Sequence, residues 1–258
     1  MWPAILAVIL CLAVLVTGGM ATTATSLGVP EGVLYYAMLH RQAGEVLGAA
    51  LIAVLAWIVF AKPKARMLAA LLCLAAVLQG VLGALPLGTT AAVVHACLAQ
   101  MLLAGTVALA ASLSPAWDEP PQTIRDYGWP SLRSMALFLP VLVTMQVGLG
   151  AAFRHRILGL MPHVIGAMLV SMIILIAGSF VLQQCKDHKT LAGLGRATMV
   201  FTFVQVFLGL AVFTVRSMPP DATVILVVAT GHVATGAALL ACCVVLGMFV
   251  RKNVIPKT

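Results

Sequence analysis

Acidic residues are nearly missing from this chain: 258 residues hold seven Asp and Glu, and charged residues of both signs make up only 9%. Soluble domains carry about a quarter of their residues as charges, so a water-soluble globular protein is excluded. An exportable cysteine pair is missing too. Cys11, Cys73, Cys97, Cys185, Cys242 and Cys243 all fall within or at the edge of apolar runs, so no disulfide framework is expected and small buried hydrophobe is their role.

What fills the chain is apolar sequence, 62% of residues with a mean hydropathy of +1.12. Eight apolar runs stand out, at 2–18, 36–61, 67–85, 90–113, 135–153, 160–182, 197–214 and 224–250. Each approaches or exceeds the roughly 20 residues that cross about 30 Å of hydrocarbon. Lipid offers no partner to a backbone group, so the runs are expected to be helices of an all-α polytopic membrane protein. The first run has small residues after it, Ala21-Thr-Thr-Ala24, but no Lys or Arg before it, and reads as a retained span rather than a signal peptide.

The net charge of +8 marks topology rather than a nucleic-acid partner. With the N-terminus in the cytoplasm, Lys62, Lys64, Arg66, Arg125, Arg133, Lys186, Lys189, Arg196, Arg251, Lys252 and Lys257 lie inside. Only Arg41, Arg154, Arg156 and Arg216 remain outside, and no lysine joins them. Eight spans return the C-terminus to the cytoplasm as well. The longest polar connection, 114–134, contains Trp117-Asp118-Glu119-Pro120-Pro121 and divides the spans four and four. The expected domains are therefore 1–116 and 134–258, four spans each, with 117–133 as a cytoplasmic linker.

The halves share a motif. Gln79-Gly-Val-Leu82-Gly83, Gln146-Val-Gly-Leu149-Gly150 and Gln205-Val-Phe-Leu208-Gly209 each end an odd span, and the first span ends on Gly18-Gly19. Each even span then carries a histidine near its outer end, His40, His95, His163 or His232. Internal repetition of this kind is a mark of membrane proteins built from two related halves.

An ionisable residue inside a span is expensive and is read first as functional. One histidine near a helix end is equally well explained by snorkelling or by a bond to a neighbouring helix; four at one depth favour metal ligation. Zinc or copper would gather further carboxylates or thiolates. The residues one turn below the histidines are instead Gly44, Ala99, Ala167 and Gly236, which leave a flat slot of the sort a haem occupies between facing helices. Close helix packing is the plainer explanation of those small residues. Arg41, Arg154, Arg156 and Arg216 are candidate partners for haem propionates, because guanidinium binds both carboxylate oxygens. His155 lies in a loop and is expected to be solvated or near a propionate. His188 is expected in a solvated cytoplasmic loop. Glu45, the one acid well inside a span, sits one turn after Arg41, where an ion pair outweighs catalysis.

Taken together, His40-Arg41, the segment Val94-His95-Ala-Cys-Leu-Ala-Gln100, Gln146-Val-Gly-Leu-Gly150 with Arg154-His155 leading to His163, and Gln205-Val-Phe-Leu-Gly209 leading to His232 resemble the heme A synthase family over nearly the whole chain. The resemblance implies two pseudo-symmetric four-helix bundles. It implies a substrate haem, haem O or the product haem A, between His40 and His95, and a b-type haem between His163 and His232. The implied reaction oxidises the C8 methyl of haem O to a formyl group, with electrons passing from the second haem to the first. Implied partners are the haem substrate, membrane lipid, a haem O synthase and respiratory oxidase components, with a homo-oligomer compatible with the same reading. The family's span-two motif has a glutamate three residues before its histidine, where this chain has Ala37. Glu31 and Glu45 are the nearest acids, and neither has that spacing. A diheme protein serving electron transfer, haem carriage or a structural role is the alternative that Ala37 favours. A transporter with proton-relay histidines explains neither the pairing nor the arginines.

Overall fold

A computed structural model describes residues 1–28, 30–85, 88–218 and 221–256, without the side chains of 30–33. Lys257 and the Glu31 side chain lie outside the described residues. The first helix, α1 (Trp2–Leu27), opens with Pro3 in its first turn, where a missing N–H costs nothing. It closes on Gly28, whose φ of 66° is the left-handed conformation glycine takes most easily. Then come α2 (Pro30–Ala61), a 3-10 turn (Pro63–Ala65), α3 (Arg66–Ala84), α4 (Thr89–Ser112) and a single turn, α5 (Pro115–Asp118). A two-residue strand, β1 (Ile124–Arg125), precedes α6 (Leu132–Arg154), α7 (Leu160–Gln184), α8 (Lys189–Arg216), α9 (Ala222–Asn253) and a last strand, β2 (Val254–Ile255). Among the described residues eight helices, α1–α4 and α6–α9, are long and apolar enough to span a membrane. The chain is an all-α, multi-pass membrane protein, and outward side chains such as Phe60, Met67 and Phe207 suit a lipid solvent.

In the first half α1 packs on α2, α2 on α3, α3 on α4, and α4 back on α1. The second half closes in the same order, α6 on α7, α7 on α8, α8 on α9 and α9 on α6. α9 also packs against α1 and α4, and α4 against α6. That seam makes α9 the central helix: 61% of its most apolar stretch is buried, against 11% in α3 and α8. Close approach depends on small residues. A Cβ on Gly247 of α9 would lie 2.9 Å from the Ala136 carbonyl oxygen of α6, so only glycine admits this contact.

Three sequence expectations are corrected. Gly18-Gly19 does not end a span, because α1 runs through it to Leu27; both glycines face side chains of neighbouring helices and serve close approach rather than a turn. Likewise α8 begins at Lys189 and continues beyond Gly209 to Arg216. His188 is not solvated: it is buried at the start of α8, where its Nδ1 accepts a bond from the Leu191 N–H at 3.4 Å.

The connection 114–134 is polar but docked. β1 pairs in parallel with β2, Lys252 donates to the carbonyls of Trp117 and Glu119, and Arg133 donates to those of Arg251 and Val254. Asp126 is the hub. It is 3% exposed and accepts from the N–H groups of Gly128, Leu132 and Arg133 and from the Ser131 hydroxyl, at 2.8–3.3 Å. Burial alone would raise its carboxyl, but these four donors hold it below the usual carboxylate range.

Two paired-histidine sites

The repeated motif resolves into a seat for each histidine. A Cβ on Gly18 would stand 2.9 Å from His40 Cε1, one on Gly83 3.1 Å from His95, one on Gly150 2.9 Å from His163 and one on Gly209 3.1 Å from His232. Each imidazole therefore lies against bare backbone of the preceding helix, at a distance any side chain would obstruct. The two glycines four residues after their histidines differ from each other. Gly44 faces open space, and the Gly236 position is filled by the Gln205 amide at 3.0 Å.

The glutamines of the motif hold the same histidines. Gln79 Nε2 donates to the His95 carbonyl at 2.8 Å, and Gln146 Nε2 donates to the His163 carbonyl at 2.8 Å and meets its Nδ1 at 2.9 Å. Gln205 Nε2 lies 3.3 Å from His232 Nε2. His40 is the exception, because its Nδ1 meets the Thr17 hydroxyl at 3.2 Å.

These supports bring the rings together in two pairs. His40 and His95 have ring centroids 6.4 Å apart with planes crossed at 77°, and His163 and His232 stand 6.3 Å apart at 87°. Four histidines on four different helices thus form two matching pairs with their ring planes nearly perpendicular. Among the described residues no three or more of His, Cys, Asp and Glu gather as a metal-holding group.

The arginines divide. Arg154, at the end of α6, crosses the seam and donates to the Gly19 carbonyl and the Thr23 hydroxyl of α1. It lies within electrostatic reach of Arg216 and of His232, and Arg216 donates to Ser26 of α1 at 3.2 Å. Arg41 instead lies on the exposed face of α2, where its Nε donates to Glu45 at 3.1 Å. The expected ion pair is present, and both partners are exposed. Arg156 is exposed beyond α6 with a φ of 61°. His155 is half-buried, and burial, Arg154 and His95 together push its imidazole below the ordinary range. Ala37, one turn before His40, is exposed. Thr17 is the residue that sequence reasoning missed; it lies beside the repeated glycine but breaks the glutamine pattern that drew attention to the other sites.

An eight-span helical membrane protein with two histidine pairs toward one end is the class these observations define. The sequence model for cytochrome oxidase assembly protein, COX15-CtaA, matches residues 25–165, more than half of the chain, and the protein belongs to that family. The matched stretch contains His40, His95 and His163, while His232 and Thr17 lie outside it. No curated protein matches the chain.

Proposed function

We propose that this chain is a heme A synthase-type oxidoreductase that converts the C8 methyl of haem O to a formyl group. In this reading His40 and His95 bind the substrate haem, and His163 and His232 bind a resident b-type haem. The carrying observation is the spacing of the rings. Two imidazoles on opposite sides of one metal, each nitrogen about 2 Å from it and each ring centre about 1 Å further back, have centroids about 6 Å apart. The pairs stand at 6.4 and 6.3 Å. A donor set of two imidazoles suits iron that already has four ligands from a macrocycle.

Within this frame, a b-type haem in the second pair supplies reversible one-electron chemistry, and the chain's own residues position and bind. Arg154 is the propionate partner best supported, because it lies at the seam within electrostatic reach of His232. Arg41, Arg156 and Arg216 are less well supported, being turned to the exposed surface. The halves 1–116 and 134–258 each carry one site and are joined by 117–133. Both termini face the cytoplasm and both sites the outer side, which follows from the inward charge set. A haem O synthase would deliver the substrate and oxidase components receive the product.

One observation favours a non-catalytic diheme protein instead. Ala37 offers no proton-transferring group, and Glu45, the candidate acid on the same helix, is occupied by Arg41 on the exposed face. Expression in a host that makes haem O but not haem A, followed by chromatography of extracted haems, separates the readings. Hydroxylated haem O or haem A in the extract is expected of the synthase. Unchanged haem O, in cells where the chain is made and holds haem, contradicts it and leaves the diheme reading.

A further inference from the structure

Three of the four histidines are steadied by a glutamine placed four residues before the glycine seat, and His40 is not. We infer that Thr17 is the positioning residue for His40, and that it fixes the imidazole with its proton on Nδ1 and its Nε2 lone pair free to bind metal. The inference rests on the paired-histidine haem reading and concerns a residue outside the matched stretch.

The reasoning is a count of protons. A threonine hydroxyl has one proton to give and two lone pairs to receive with. Thr17 Oγ1 stands 2.9 Å from the Val14 carbonyl oxygen and 3.1 Å from that of Ala13, both on its own helix. Carbonyl oxygens only accept, and both stand nearer to Oγ1 than His40 Nδ1 does, which favours placing the hydroxyl proton on the α1 side. With the proton there, the oxygen meets His40 Nδ1, at 3.2 Å, as an acceptor, and Nδ1 carries the hydrogen. In a neutral imidazole the other nitrogen is then bare, the form a metal requires. A glutamine amide does not enforce this, because rotation exchanges its donor and acceptor ends. Position supports the assignment. Thr17 precedes Gly18, the seat beneath the His40 ring, so one turn of α1 provides both the surface the ring lies on and the bond that orients it.

The test uses the purified full-length protein in detergent, titrated with ferric haem b, beside Thr17→Val, Thr17→Ala and Thr17→Ser. His163→Ala in each background assigns the two equivalents to their sites. Wild type is expected to take up two equivalents with six-coordinate, low-spin spectra. Thr17→Val keeps the shape but not the acceptor; the equivalent at His40 and His95 should bind at least about 10-fold more weakly, with a shift toward a five-coordinate, high-spin spectrum. Thr17→Ser should restore both affinity and spin state. The second-half equivalent, bound as in wild type, reports that each variant is folded, and Thr17→Ala replaces the valine variant if that one is not. Two equivalents with wild-type affinity and spectrum in a folded valine or alanine variant overturn the role of Thr17 alone. Wild-type protein that takes up no haem overturns the haem reading, and this inference with it.

Discussion

Each histidine in the two pairs owes its place to a residue with no side chain. The imidazoles of His40 and His163 lie where a Cβ on Gly18 or Gly150 would approach within 2.9 Å. Replacing Gly150 with alanine is expected to tilt His163 away from His232 and lower the haem content of the purified chain from two per molecule to one. A pyridine haemochrome assay reads this directly. Asp126 makes a residue-scale prediction at the other end of the molecule. Its carboxyl is held below the ordinary value, so its stabilising effect is complete above the unfolded value of about 3.9 and is lost as pH falls through the lower folded value. Asp126→Asn keeps one acceptor oxygen for four donors and should cost about 2 kcal/mol. Thermal melts of the two proteins should converge only in that acid range. Sequence alone made the histidines and glycines legible as a repeat. It did not show that the glycines seat the histidines, because spacing along one helix says nothing of which side chain stands opposite.

At the scale of elements the helices were legible almost throughout, since apolar length is the strongest signal lipid imposes. Their ends were less so. The glycine pair read as the end of the first span, yet α1 continues to Leu27, and α8 begins at Lys189, well before the apolar run at 197–214. Glycine weakens a helix by about 1 kcal/mol relative to alanine, a cost that neighbouring packing offsets here. The docked linker was invisible for another reason: its bonds join residues more than a hundred positions apart, as in Arg133 to Val254. α9 is the element on which packing depends most. Gly247→Ala sets a methyl against the Ala136 carbonyl and is expected to destabilise the protein by about 1–3 kcal/mol, read as a lowered midpoint of thermal unfolding in detergent.

For the whole molecule, the seam matters as much as the halves. α9 carries His232 and packs against α4, which carries His95, so histidines of the two pairs lie on adjoining helices. Arg154 ties the halves at the same level by reaching from α6 to Gly19 and Thr23 on α1. This cross-bracing was not legible in the sequence, because it depends on which helix faces meet. The central claim is that each histidine pair holds one haem. Haem content and reduced spectra of the purified wild type, beside His40→Ala, His95→Ala, His163→Ala and His232→Ala, test it most directly. The account predicts two haems per chain in the wild type, one in each variant, and the same lost haem within each pair. Wild-type protein without haem, or a membrane-inserted His163→Ala or His232→Ala variant that keeps both haems, would contradict it.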